Sequence, residues 1–395
     1  MPAEGTRRPA WAEVDLSAVR HNAALLASIA APARLCAVVK ADAYGHSAVP
    51  VAEAALEAGA DELAVALVDE GAELREHGVS APILVLSEPA PQAMEEALAL
   101  GLVPTLYTPD GVAAARKAAA ALGAGEHRPP FPVEVKVDTG MHRVGAAPGE
   151  LAGLVAEVAA APELRYAGLW THFAVSERLE DPFTGEQIAT FERARAELRA
   201  AGLPEPGRCH AANSAGAIAW PEARYDLVRC GIALYGYAPS IEVGRRLGLE
   251  QERAAAGPVG LRPVLSLKAR VTLVREHEAG ERLSYGRLRP LEQRSLVATV
   301  PLGYADGVPR RYFEAGGCVL VGGRRCPIAG TVTMDQLLVA CEPGSGVTAG
   351  DEAVLIGEQG GEAITADEWA ERLGTISYEV LTRIGPRVPR VMREP

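Results

Sequence analysis

The chain has 395 residues, too many for one ordinary domain and enough for two. Its formal net charge of −12 at pH 7 disfavours nucleic acid and anionic membrane as partners, which leaves a small molecule as the default. No run approaches 18 apolar residues, and Met1–Leu16 mixes charge with proline, so the expectation is a soluble cytoplasmic protein without an export signal.

From the N-terminus, a short strand at Trp11–Asp15 and a helical stretch from Leu16 to Ala30 precede a regular alternation. Apolar runs predict strands at Leu35–Ala41, Glu62–Val68, Pro82–Ser87, Val103–Thr108, Val133–Thr139, Tyr166–Phe173, Cys209–Ser214 and Leu227–Tyr235. Between them lie Ala/Leu/Glu-rich segments of crossover-helix length, such as Pro109–Leu122 and Gly185–Ala201. Eight strand–helix units predict an α/β fold, an N-terminal (β/α)8 TIM barrel over residues 12–240. No G-x-G-x-x-G follows a strand, which weakens a dinucleotide-binding alternative.

The first of these strands ends in Val38-Val39-Lys40-Ala41-Asp42-Ala43-Tyr44-Gly45-His46. Only four lysines, Lys40, Lys117, Lys136 and Lys268, stand among 39 basic residues, so lysine is not the ordinary surface cation here. A lysine at a buried strand end can lose its proton or form a Schiff base, which arginine cannot. The alternative is a lysine whose stem packs while its head escapes to water. Lys117 reads as an exposed helix residue and Lys268 as a solvated strand position.

Chemistry in such a barrel gathers at the carboxyl ends of the strands. Those ends carry Lys40 and Tyr44; Lys136, Asp138 and Arg143; His172; His210, Asn213 and Ser214; then Arg229, Gly231 and Tyr235. Glu134, Lys136 and Asp138 alternate with three valines and so share one strand face. Buried there, Lys136 needs a partner or an altered charge.

A Pro-, Gly- and Arg-rich stretch, Pro239–Leu261, reads as a linker. Beyond it, runs at Val264–Arg275, Leu296–Val300, Cys318–Val321, Ile328–Val339 and Glu352–Ile356 are joined by turns. They predict a mainly antiparallel β domain over 241–395, with residues 1–11 packing on it and one helix at Ala366–Arg372 capped by Thr365. The six cysteines, at 36, 209, 230, 318, 326 and 341, contain no CxxC pair and read as reduced thiols, with no metal site.

These residues carry a resemblance to the alanine racemases. It rests on Val39-Lys40-Ala41-Asp42-Ala43-Tyr44-Gly45-His46, Lys136-Val137-Asp138-Thr139-Gly140-Met141-His142-Arg143, Thr171-His172-Phe173, Ala212-Asn213-Ser214 and Arg229-Cys230-Gly231-Ile232. In the β domain it continues through Ser284-Tyr285-Gly286, Gly303-Tyr304-Ala305-Asp306-Gly307, Met334-Asp335-Gln336 and Tyr378-Glu379. The resemblance implies a pyridoxal 5'-phosphate enzyme, a homodimer with shared active sites, and a two-base interconversion of L- and D-alanine that supplies D-alanine for peptidoglycan. A serine or broader-specificity racemase of the same fold is the alternative.

The same resemblance implies the roles. Lys40 links to the cofactor and serves as one base, while Tyr285 of a second subunit is the other. Tyr44, Ser214, Tyr378 and the backbone of Gly231 and Ile232 hold the phosphate, and Asn213 also binds the cofactor. Arg229 faces the ring nitrogen with His172 behind it, Arg143 reaches the cofactor's phenolic oxygen and the substrate carboxylate, and Met334 of the second subunit meets the substrate. Lys136 sits where many members carry a carboxylated lysine, and Glu177, Tyr304, Arg310, Thr331 and Ile376 surround the entrance. Thr331 replaces a frequent arginine, so the corridor is expected to be less tightly closed than usual. A barrel-type decarboxylase would not need Tyr285, a cofactor carrier would lack the β domain, and a cofactor-free aldolase would leave the phosphate residues without a task.

Overall fold

The computed structural model describes residues 8–124, 128–254 and 260–394, with the side chains of 249–254 omitted. Residue contacts divide it into two compact units, one formed by Ala18–Ala43 with Ala48–Arg262 and one by Met1–Ser17, Tyr44–Ser47 and Pro263–Pro395.

In chain order the first strands are β1 Ala10–Asp15, β2 Arg34–Val38, β3 Glu62–Val65, β4 Ile83–Val85, β5 Val103–Leu106, β6 Phe131–Lys136, β7 Leu164–Trp170, β8 Cys209–His210 and β9 Leu227–Cys230. β2 to β9 form one parallel sheet in the order β8-β7-β6-β5-β4-β3-β2-β9. The ends close onto each other as Asp226 N donates to Cys209 O at 3.0 Å and Arg229 N to Ala212 O at 2.9 Å. The barrel expected from the sequence is therefore present.

Its strands are short and buried, as expected for a sheet covered on both faces. Helices between them turn apolar faces inward, and Val112, Leu151, Val155 and Phe191 pack against Val135 and Leu169 in one core. The helix Pro109–Ala121 starts with proline at its first position and with Thr108 Oγ1 accepting from Gly111 N at 2.9 Å.

The other unit contains β10 Leu265–Arg270, β11 Leu273–His277, β12 Ser295–Val300, β13 Cys318–Val321, β14 Arg324–Pro327, β15 Leu337–Cys341, β16 Glu352–Gln359, β17 Glu362–Ile364 and β18 Arg390–Arg393. One sheet runs β14-β13-β16-β10-β1-β18 with β17 on β16, and a second runs β11-β12-β15. All pairs are antiparallel except β1 with β18. The helix Ala366–Leu373 begins where expected, with Thr365 Oγ1 accepting from Glu368 N at 3.1 Å.

Four expectations about element boundaries change. The strand at 11–15 joins the β-rich unit, where Glu13 faces Ser266 of β10 and Val391 of β18, so the barrel unit starts at Ala18 rather than residue 12. The linker contains a helix, Ile241–Ala254, and belongs to the barrel unit. Val264–Arg275 is two strands in different sheets. Ile328–Val339 is a loop held by a bridge between its two ends, and the strand there is β15. The expectation for residues 1–7 lies outside the described residues.

Candidate active site

Lys40 stands two residues past the end of β2, and the chain there winds left-handed. Ala41, Asp42, Ala43 and Tyr44 all have φ between 51° and 55°, and Ala43 N donates to Val39 O at 2.8 Å across the turn. Each such L-residue costs about 1–2 kcal/mol, so the turn persists only because its surroundings hold it. Glu70 Oε1 accepts from Ala41 N at 2.6 Å, and Asp42 Oδ1 accepts from Ala48 N at 2.7 Å. Beneath β2, buried Tyr235 donates to Val38 O at 2.8 Å.

The Lys40 amine is held below its ordinary range by burial and then by Arg143, with Glu70 opposing. Arg143 leaves a turn built on Asp138, whose Oδ1 accepts from Gly140 N at 2.9 Å and His142 N at 3.1 Å. Gly140, at φ 136°, is required because a Cβ would lie 2.7 Å from the Phe183 ring.

Arg229 is buried on β9 and pinned by four acceptors. It donates to His210 Nδ1 at 2.5 Å, Thr171 O at 2.8 Å, Ala211 O at 3.0 Å and His172 Nδ1 at 3.3 Å. No carboxylate is among them. Because guanidinium only donates, His210 Nδ1 must be unprotonated and its proton must sit on Nε2, which donates to Glu134 Oε2 at 2.8 Å. Burial, opposed by Glu134, pulls the His210 ring down to about 4 and keeps it neutral. Glu134 Oε1 in turn accepts from Arg208 Nε at 2.5 Å, and Arg208 also pairs with buried Glu62. Burial raises the Glu134 carboxyl, but His210 and Arg208 outweigh it and hold it at about 2.

Trp170 is the floor shared by this cluster. Arg229 lies 4.6 Å and the Lys136 amine 4.7 Å from its ring centre, and His210 stacks on it at 5.5 Å. No hydrogen bond or ion pair reaches the Lys136 amine among the described residues. Burial, then Arg143 and Arg229, lower its amine to about 7. His172 is pushed well below the usual imidazole range by burial and then by Arg229, Lys136, Arg143 and Lys40, so these five side chains share one site.

At the neighbouring strand ends, Ser214 Oγ accepts from Gly231 N at 3.0 Å, leaving its own proton for an outside oxygen. Asn213 caps the helix Ser214–Ala219 by accepting from Gly216 N at 2.9 Å, and also accepts from Ser176 Oγ. Ile232 follows, buried, at the start of a 3-10 turn. Glu177 is partly buried in the same unit, its carbonyl accepting from Ser240 Oγ.

The remaining expected residues belong to the β-rich unit. Tyr44 and Tyr378 meet with ring centres 6.1 Å apart, and burial raises the Tyr44 phenol to about 12. Tyr285 is 70 % exposed, Met334 52 %, Ile376 59 % and Tyr304 43 %, with Arg310 also exposed. The Tyr285 turn is clasped from below. Thr331 Oγ1 donates to Tyr285 O at 2.9 Å, and Ser284 Oγ donates to Thr331 O at 2.6 Å. Thr331 is 2 % exposed, so it lies under this turn as a support. Tyr304 N donates to Thr333 O and Ala305 N to Met334 O, fixing the Met334 backbone. Asp306, fully buried, anchors that loop through Arg8 and Gly303 N.

Sequence models of the alanine racemase N-terminal and C-terminal domains match residues 14–239 and 264–392. The chain belongs to the alanine racemase family. An alanine racemase of Symbiobacterium thermophilum is 48 % identical over 383 residues, covering 97 % of both chains. One from Carboxydothermus hydrogenoformans is 43 % identical, over 97 % of this chain and 99 % of its own. Among solved structures, the alanine racemase of Streptomyces lavendulae superposes with a TM-score of 0.88 at 37 % identity, covering 99 % of this chain and 98 % of that one. A histidine racemase from Leuconostoc mesenteroides superposes at 0.85 with 29 % identity over 99 % of each chain.

Arg208, Glu134 and Glu62 were not among the residues singled out as functional from the sequence, although Glu134 showed in the alternation of β6. Arg208 gave no signal, since its two carboxylate partners lie 74 and 146 residues away.

Proposed function

We propose that the protein interconverts L- and D-alanine with pyridoxal 5'-phosphate, acting as a homodimer. The observation that carries the reading is Arg229, a buried guanidinium whose four acceptors include no carboxylate. It offers a ring nitrogen a hydrogen bond without a proton to lose, which restrains charge build-up on the ring and suits an exchange of one Cα proton.

The residues present fit the cofactor. Lys40 supplies an amine held below its ordinary pKa, and Ser214 has a hydroxyl proton free for a phosphate oxygen. When bound, the cofactor supplies an electron sink for the Cα carbanion. Lys40 takes or returns the proton on one face of Cα, and Tyr285 of the partner subunit does so on the other. Arg143 binds the substrate carboxylate, and Met334 of the partner subunit limits the space beside the side chain. The exposed Tyr285, Tyr304, Met334 and Ile376 support a second copy covering this area. The described residues contain no helix long and apolar enough to cross a membrane, which accords with a cytoplasmic supply of D-alanine for cell-wall synthesis.

The test is deuterium incorporation at Cα of L- and D-alanine in heavy water. Tyr285→Phe should lose exchange from one enantiomer and Lys40→Ala from both, because that lysine also anchors the cofactor. Retention of both exchanges in Tyr285→Phe would overturn the two-base reading. L-Serine and L-histidine in the same assay decide substrate breadth, a question the histidine racemase neighbour makes concrete.

A further inference from the structure

Cys326, on β14, and Cys341, at the end of β15, are 15 positions apart in sequence. Ile328 bridges Val339 antiparallel, and Ala329 N donates to Leu338 O at 2.7 Å. That bond makes 329 and 338 a hydrogen-bonded pair and 328 and 339 a non-hydrogen-bonded pair. Carried two residues beyond that isolated bridge, the register would set Cys326 opposite Cys341 at another non-hydrogen-bonded position. Cα atoms at such positions lie about 4.5 Å apart, within the span a disulfide accepts.

Both cysteines line one cavity of about 410 Å³, together with Arg289, Arg324 and Ser345. Each thiol acts on the other: Cys341 favours the thiolate of Cys326, while Cys326 and burial raise Cys341, and Cys326 Sγ also donates to Arg324 O at 3.7 Å. Cys318 on the neighbouring strand does not compete. It pairs with Pro327 while Val319 pairs with Cys326, so its side chain takes the opposite face, against Arg325 and Glu368.

We propose that Cys326 and Cys341 form an oxidation site, closed by hydrogen peroxide into a cross-strand disulfide that ties the two ends of the loop carrying Thr331 and Met334. The Cys326 thiolate attacks one peroxide oxygen, the O–O bond breaks, and the leaving hydroxide takes a proton to become water. Cys341 then attacks the resulting sulfenic sulfur. The S–S bond forms, a second water leaves, and the two thiol hydrogens end in the two waters while peroxide accepts the two electrons. Ile328 to Gln336 lies inside the ring so closed, including the residue under Tyr285. Oxidation therefore stiffens the support of the exposed tyrosine.

The experiment treats the full-length protein with hydrogen peroxide, alkylates the remaining thiols and maps the peptides. The expected result is one cross-linked peptide joining Cys326 to Cys341, two fewer alkylated thiols, and a rise in Tm on the order of 5 °C that dithiothreitol reverses. Cys341→Ser and Cys341→Ala should each abolish the rise, and Cys36→Ser should keep it. A different cross-link, sulfinic acid without a cross-link, or a rise that survives both Cys341 variants would overturn the proposal. None of these readouts depends on racemase activity, so a failure here is separable from a failure of the functional reading.

Discussion

Arg229 donates to His210 Nδ1 at 2.5 Å, and that one bond fixes where the histidine keeps its proton. With Nδ1 an acceptor, Nε2–H points at Glu134, and the ring has no room for a second proton. Its folded pKa of about 4 lies below the unfolded value near 6.5. Between those values the unfolded chain binds more protons, so stability is full above pH 6.5 and falls as pH drops toward 4. The loss from this residue is on the order of 3 kcal/mol. Urea titrations across this range should show a shallower pH slope for His210→Gln than for the wild type.

Arg208 holds two carboxylates that are each almost wholly buried, Glu62 and Glu134. Removing one partner from such a group leaves uncompensated charge in the interior, at a cost of about 3–5 kcal/mol. Arg208→Met should therefore unfold at clearly lower urea. Combining it with Glu62→Gln and Glu134→Gln should recover part of the loss, because the stranded charges go with it.

Thr331 bears on Tyr285 through its hydroxyl. Thr331→Val keeps the shape and deletes a hydrogen bond of about 0.5–1.5 kcal/mol, so kcat should drop roughly 3- to 10-fold with KM little changed. Thr331→Ser should restore it. Because the two enantiomers have equal free energies, kcat/KM must fall equally in both directions. A Cα deuterium exchange lost more from one enantiomer than from the other would tie the deficit to Tyr285, and equal exchange losses would point to a general structural effect.

Lys136 has an amine lowered to about 7, so near neutrality a large fraction is uncharged and nucleophilic. Carbon dioxide should add to it, turning a buried cation into an anion between Arg143 and Arg229. The product should increase as pH rises through about 7. Carbon-13 NMR in labelled bicarbonate should show a carbamate resonance that Lys136→Ala lacks, and a spectrum without one would remove the modification.

Ala41 is exposed in a left-handed conformation at φ 52°. Glycine relieves that strain, so Ala41→Gly should stabilise by up to about 1 kcal/mol, offset in part by unfolded-state entropy. Ala41→Val should destabilise, and thermal melts distinguish the two.

Much of this was legible because local pattern and tertiary role agree. Short apolar runs separated by helix-length segments predict a barrel, and polar residues at successive strand ends predict where chemistry gathers. Lys40, Lys136, Arg143, His172 and Arg229 do come together electrostatically. Elsewhere the local signal pointed the wrong way. The strand at residue 11 is indistinguishable in sequence from a barrel strand, yet its partners lie some 250 and 380 residues downstream. Ile328–Val339 has strand composition, but its middle is held as a loop by side-chain bonds from Thr331, Ser284 and Thr333. Lys268 looked solvated, whereas its amine lies 2.9 Å from Glu13 on the adjacent strand. The left-handed turn after Lys40 had no herald either, since Ala41 and Ala43 carry no turn preference and long-range acceptors hold the backbone.

That mirror-handed stretch limits how the surroundings of Lys40 can be re-engineered. A random library over positions 41–43 should return mainly glycine, asparagine, aspartate and alanine, because branched side chains collide with their own carbonyls when the coil runs backwards. Attempts to relocate the amine by one residue would swing it by about 100° around the coil.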